Sequence, residues 1–231
     1  MPCPPSDARK NHRRHVSLPG VLQSIIHQRY LEFRYPSFPP YALELVCFDL
    51  RLRRAHDLTL VFAEADDAAQ DALDWLLARY YVEGPDARGL LPRVVHGEPI
   101  PPAPLLPRGP YARWKEYVHY SDALAPCIDA RWREAGYDGF SAYLTALIRY
   151  DLLLLGPHKH YNGDDWGAAR MAELDAKTVK EFHEAKWRTI HFDHLLDRAA
   201  GRKLTPAERS ARMREIAKFL LDFAVAEALK G

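Results

Sequence analysis

The C-terminal region of the chain gathers imidazoles and carboxylates at Glu181, His183, Glu184, His191, Asp193 and His194. These residue types bind metal ions or exchange protons with a substrate. Their spacings match neither HExxH nor another strong metal or catalytic motif, and histidines on a solvated face account for them more simply. No Gly-rich phosphate loop, serine-nucleophile elbow or kinase motif is present. Cys3, Cys47 and Cys127 are widely spaced and odd in number, so they build neither a disulfide framework nor a zinc set. The expectation is a protein without catalytic residues, metal or cofactor, and so not an enzyme. An enzyme with a His/acid site in its C-terminal helices is the third-ranked alternative.

A second set of chemically active residues recurs at a fixed interval. Arg29 and Asp49 return as Arg131 and Asp151, and His56 returns as His158, each 102 positions later (131 − 29 = 102). An arginine and an aspartate on successive helices predict a structural ion pair or cap rather than catalysis. A histidine at a helix C-terminus suits the helix dipole. The recurrence is general: residues 16–56 match 118–158 without a gap, with 13 identities in 41 positions. Tyr30/Trp132, Val46/Ile148 and Phe48/Tyr150 keep the chemistry where identity is lost. A repeat of this length describes how a fold is organised. It suggests that one chain contains both halves of what is elsewhere a dimer.

Each copy reads as strand, helix, break, helix. Arg13–Leu18 alternates, with Val16 and Leu18 on one face, and Pro19 opens a helical stripe of Leu22, Ile26, Tyr30 (or Arg29) and Phe33. Tyr35-Pro36-Ser37 breaks it, and Ser37 is placed to cap a second helix bearing Tyr41, Leu45, Phe48 and Leu52. In the second copy Lys115–Tyr120 alternates, and Ser121 or Asp122 is placed to cap a helix carrying Leu124, Ile128 and Trp132. Gly136 ends that helix. Asp138 is placed to cap the next, with Tyr143, Leu147, Tyr150 and Leu154, and Gly156-Pro157 stops it.

The expected organisation is a flexible N-terminus over 1–12, copy one over 13–60, a connector over 61–113, copy two over 114–158 and a helical C-terminal region over 159–231. Within the connector, residues 61–90 hold seven acids and two arginines (2 − 7 = −5). Ala69–Tyr81 reads as a helix, and 94–110 is Pro-rich and expected to be extended. The C-terminal region predicts helices over Trp166–Trp187 and Ile190–Ala199. A last helix starts at the capping box Thr205-Pro206-Ala207-Glu208, with Met213, Ile216, Leu220 and Phe223 inward.

Composition narrows the function classes. The 231 residues are 48% hydrophobic and 27% charged, with a net charge of +1. This is ordinary globular usage, and any nucleic-acid contact must be local rather than a matter of bulk charge. No apolar run is long enough to span a bilayer, the first residues have no apolar leader-like stretch, and the cysteines suit a reducing compartment. A cytoplasmic protein with no membrane partner is expected.

The pattern His15-Val16-Ser17-Leu18-Pro19, Leu22/Ile26, Ser37-Phe38, Tyr41/Leu45 resembles the ribbon-helix-helix family of DNA-binding proteins. So does Tyr117-Val118-His119-Tyr120, Leu124/Ile128, Gly136, Phe140-Ser141-Ala142-Tyr143, Leu147/Ile148 in copy two. The resemblance covers roughly 80 residues. It implies a mainly α fold, a tandem ribbon-helix-helix pseudo-dimer, with one short two-stranded antiparallel ribbon and added helices. It also implies that the outward strand residues Arg13, His15, Ser17, Lys115, Tyr117 and His119 contact base edges in the major groove of double-stranded DNA. A solvated polar strand face is the alternative for those six. In the family the N-terminus of the second helix holds a backbone phosphate. Here Gly139, Phe140 and Ser141 offer N–H groups in copy two. Pro39 and Pro40 remove them in copy one, and Asp138 adds a negative charge.

The leading expectation is therefore a sequence-specific DNA-binding protein: a regulator, an antitoxin or a DNA-processing accessory. Its C-terminal helices are expected to serve a protein partner or self-association. The alternative is an interaction or assembly subunit that has lost DNA binding.

Overall fold

A computed structural model of the chain describes residues 12–32, 35–52, 61–62, 64–82, 90–100, 112–153 and 192–230. Residues 1–11 of the expected flexible N-terminus, the helix over Trp166–Trp187, and His56, His158, Glu181, His183, Glu184 and His191 lie outside the described residues, while His12, the last residue of that expected segment, belongs to the first strand.

The described chain is mainly helical with one two-stranded sheet. Strand β1 (His12–Pro19) is followed by a 3-10 turn (Gly20–Leu22), α1 (Gln23–Glu32) and α2 (Phe38–Leu52). Then come α3 (Asp67–Val82), α4 (Leu90–Val95), β2 (Arg113–Tyr120), α5 (Ala125–Glu134) and α6 (Phe140–Leu153). A helix over residues 192–200, here α7, and α8 (Pro206–Leu229) complete it. Among the described residues no helix is long and apolar enough to cross a membrane.

Both strands form because alternation lets one face be buried while the backbone pairs. Val16, Leu18, Val118 and Tyr120 are fully buried. The strands are antiparallel and longer than the sequence predicts, because each end finds a partner: His12 lies opposite Tyr120 and Pro19 opposite Arg113. Pro19 thus ends a strand, where a missing N–H is tolerated, instead of opening a helix. Gly20 follows because a Cβ there would meet the Ala112 carbonyl oxygen at 2.0 Å.

Two caps differ from expectation. Helix α5 opens at Ala125 with Leu124 at its N-cap and no side-chain cap, while the Ser121 carbonyl accepts from the Leu124 N–H at 3.0 Å. Pro126 in the first turn explains the later start, since it needs no cap for an N–H it lacks. The Gly139 carbonyl accepts the Tyr143 N–H at 3.0 Å, so Gly139 and not Asp138 occupies the α6 cap position. Gly136 does take the left-handed conformation, φ +79°, between α5 and α6.

The core lies beneath the strands, and its halves cross. Strand β1 packs on α6, β2 packs on α2, and α2 packs on α6. Leu22, Ile26, Tyr41, Leu45, Leu124, Ile128, Tyr143 and Leu147 are all buried. Phe48 and Tyr150, one repeat apart, stack at 6.4 Å between ring centres.

The recurring arginines and aspartates form the expected structural pairs, but across the copies. Arg29 donates to both oxygens of Asp151, at 2.8 and 3.1 Å, and Tyr41 donates to Asp151 Oδ2 at 2.9 Å. Arg131 donates to both oxygens of Asp49, at 2.7 and 3.1 Å, and Tyr143 donates to Asp49 Oδ2 at 2.7 Å. Adding 102 to 29, 41 and 49 gives 131, 143 and 151, so each triad is the other's repeat. Burial disfavours the Arg29 charge, yet Asp151 more than offsets this and holds the guanidinium above its ordinary range. Burial, then the neighbouring carboxylate, pushes the Tyr41 and Tyr143 phenols well up.

The connector adds a layer. Helix α3 extends slightly beyond the expected Ala69–Tyr81. It docks on α6 through Arg149, which donates to Asp74 at 2.7 and 2.8 Å and to Gln70 Oε1 at 2.9 Å. The Pro-rich stretch is not extended at its start, because Leu90–Val95 forms a helix that buries Leu90, Leu91 and Val95. Helix α8 packs along α3 and α4 with Met213, Ile216, Leu220 and Leu221 buried. Phe223, expected inward, is only half-buried and stacks on exposed Phe219 at 6.3 Å. The capping box is formed: the Glu208 N–H donates to Thr205 Oγ1 at 3.3 Å and the Thr205 N–H donates to Glu208 Oε2 at 2.8 Å.

Candidate nucleic-acid interface

The side of the ribbon away from the core collects the six predicted strand residues. Opposite pairs are Arg13 with His119, His15 with Tyr117 and Ser17 with Lys115. Arg13, His15, Lys115 and Tyr117 are exposed, and Ser17 and His119 are half-buried. The register is centred on His15 and Tyr117, which are one repeat apart (117 − 15 = 102). Around that centre, Arg13 opposite His119 corresponds to Lys115 opposite Ser17. Each end of the ribbon thus presents one cation and one hydrogen-bonding partner, with unlike residues at the two ends.

The exposed centre is organised by rings. The Arg13 guanidinium lies 3.6 Å from the Tyr117 ring centre, a cation–π contact that holds a long side chain in place. The His15 ring meets the Tyr117 ring edge-on, with centres 5.4 Å apart. Tyr117 keeps 40% of its surface exposed, which marks it as a ring held out from the ribbon and not folded into the core. These side chains can donate and accept hydrogen bonds from a platform two strands wide. Eight-residue strands span about 27 Å at roughly 3.4 Å per residue.

Position 14 leaves this face. Arg14 donates to Asp129 Oδ1 on α5 at 2.6 Å, and Trp132 Nε1 donates to the same oxygen at 3.1 Å. The Arg14 hydrogen bond holds the Asp129 carboxyl below its ordinary range.

The start of α6 lies under the ribbon. The Ser17 N–H donates to Ser141 Oγ at 3.2 Å, which ties the helix to β1, and Thr145 Oγ1 donates to the Ser141 carbonyl at 2.8 Å. Phe140 is buried between Tyr120 and Tyr143, with ring centres 6.1 and 6.4 Å away. Of the three predicted residues there, Phe140 therefore presents backbone alone, and Ser141 has its hydroxyl engaged. Gly139 is half-buried and Asp138 is exposed beside it.

Sequence reasoning missed three contributors. Arg113 and His12 extend the ribbon at opposite ends, and Arg113 shares the outward parity of Lys115 and Tyr117. Reading the alternation back past Lys115 would have found Arg113. The Arg149–Asp74 pair was also missed, although a lone arginine in the apolar run Leu144–Tyr150 was the available signal.

No group of three His, Cys, Asp or Glu residues suited to a metal ion occurs among the described residues. Of the C-terminal His/acid set, Asp193 accepts from Arg209 through its carbonyl at 2.8 Å and lies 3.6 Å from it through its carboxylate. Comparison with protein-family models, with curated proteins and with solved structures gave no match.

Proposed function

We propose that this chain is a cytoplasmic DNA-binding protein, not an enzyme, whose two repeat copies form a single-chain ribbon-helix-helix pseudo-dimer. One observation carries the reading. The two sequence-related strands pair in a register centred on equivalent residues and hold Arg13, His15, Lys115 and Tyr117 out to solvent. A two-stranded ribbon fits the major groove, and arginine, lysine and histidine can read its acceptors. The crossed Arg/Asp/Tyr triads further support a pseudo-dimer, since they relate the halves by the same 102-residue offset.

In this reading Arg13 and Lys115 contact bases, with Ser17, Tyr117, His15 and His119 completing the surface. The N–H groups of Gly139, Phe140 and Ser141 approach one phosphate. The role is that of a regulator, an antitoxin or a DNA-processing accessory. Replacing Arg13 by Ala is expected to weaken specific binding by about 1–3 kcal/mol and relax preference at one base position. Quantitative binding to variants of a selected site measures both effects, and an unchanged base profile would argue against direct readout.

A second reading, an interaction or assembly subunit, is favoured by α8, where Phe219 is 49% exposed and Leu229 80% exposed. It is separated from the first by whether wild type retains double-stranded DNA at low salt.

A further inference from the structure

We propose that Tyr117 is a positioning residue for Arg13: its ring holds the guanidinium ready to read guanine, so that the Arg13 half of a DNA site is read more strictly than the Lys115 half. The proposal rests on the DNA-binding reading above and assigns, within it, the residue that sets base preference.

The ribbon places the two side chains together. Tyr117 lies opposite His15, and Arg13 is the next outward residue along β1, so Arg13 and Tyr117 are diagonal neighbours on one face. The Arg13 guanidinium carbon sits over the Tyr117 ring, 3.6 Å from its centre, which is van der Waals contact. His15 meets the same ring edge-on from across the ribbon, with centres 5.4 Å apart. The ring that carries the arginine is thus itself braced by the other strand.

Stacking leaves the donors free. A guanidinium carries its N–H groups at its edge, and a ring against its face occupies none of them. Among the described residues Arg13 forms no ion pair, whereas its neighbour Arg14 is committed to Asp129 at 2.6 Å. An exposed arginine loses rotamer freedom when it binds, and one ordered beforehand loses less. Guanine is the base that suits it, because O6 and N7 together accept both arms of the fork.

The other half is built differently. One repeat relates Arg13 to Lys115 and Tyr117 to His15 (13 + 102 = 115; 117 − 102 = 15). The counterpart of an arginine on a phenol ring is therefore a lysine diagonal to an imidazole. Lysine has no fixed fork, and its ammonium swings on a flexible stem. The rings that attract a cation best are those of Trp, Tyr and Phe. Each half carries one exposed cation at this position, so charge alone does not make the halves unequal. The fork and the ring beneath it do.

The test selects sites from random double-stranded DNA with the full chain at low salt and compares base profiles. Wild type is expected to show a sharp guanine preference at the position that Arg13→Ala relaxes, and a weaker preference at the position that Lys115→Ala relaxes. Tyr117→Leu is expected to lower the guanine preference at the Arg13 position by about threefold to tenfold and to spare the Lys115 position. Tyr117→Phe keeps the ring and is expected to restore what Tyr117→Leu loses. Relaxation at the Arg13 position alone, with rescue by Tyr117→Phe, supports the proposal. An unchanged profile in Tyr117→Leu, a loss at another position, an equal loss in Tyr117→Phe, or equal sharpness of the two wild-type positions overturns it. Should Tyr117→Leu not fold, proton NMR of the free wild-type protein decides. Arg13 side-chain protons shifted upfield by the ring support the stacked arginine, and unshifted ones overturn it. No DNA retained by wild type would refute the DNA-binding reading and this proposal with it. Retention without the Tyr117 pattern refutes this proposal alone.

Discussion

Asp49 and Asp151 each accept two hydrogen bonds from a guanidinium and one from a phenol, in a site closed to water. A charge in such a place costs several kcal/mol to desolvate and is tolerable only when fully partnered. Removing one carboxylate strands an arginine that is 1–4% exposed. Asp49→Ala and Asp151→Ala are therefore each expected to cost about 3–5 kcal/mol in urea unfolding. The two costs should be similar, because the triads are repeats. A cost below about 1 kcal/mol at either would mean that its triad does not hold the halves together. The residues of these triads were legible in the sequence from their recurrence. Their crossing was not, since the spacing of Arg29 and Asp49 along the chain fits a contact within one copy equally well.

At the scale of elements, the strands and four repeat helices were legible because each carries its own period. Alternation marks Arg13–Leu18 and Lys115–Tyr120, and stripes such as Leu124, Ile128 and Trp132 mark the helices. Their ends were less legible. Pairing with a remote partner lengthened both strands, and Pro126 and Gly139 displaced the expected caps. Leu45 on α2 and Leu147 on α6 are equivalent and both buried. Truncating either to Ala is expected to cost about 2–5 kcal/mol through lost burial and a residual cavity. Thermal or urea unfolding measures this, and a negligible cost at one site would show that its copy is not a core element.

At the scale of the molecule, the added helices were the least legible part. An amphipathic stripe such as Leu73, Leu76, Leu77 and Tyr80 says that a helix is buried, not on what. The address of α3 is written on α6, in Arg149, which stands where copy one has Cys47. Helix α8 in turn covers α3, so part of the C-terminal region expected to meet a partner is spent inside the chain. This layer makes the molecule asymmetric around a nearly symmetric ribbon. Arg13·His119 at one end and Lys115·Ser17 at the other should favour a site with unlike halves over a perfect palindrome. The net charge of +1 should keep phosphate contacts few and the salt dependence of binding shallow, at about −0.9 in log affinity per phosphate neutralised.

The ribbon as a DNA-reading surface is tested most directly by retention of genomic fragments at low salt, comparing wild type with the Arg13→Ala/Lys115→Ala double variant. Wild type is expected to retain a specific subset, enriched in asymmetric sites, and the double variant to lose that enrichment. Equal retention by both proteins, or none by wild type, would contradict the account.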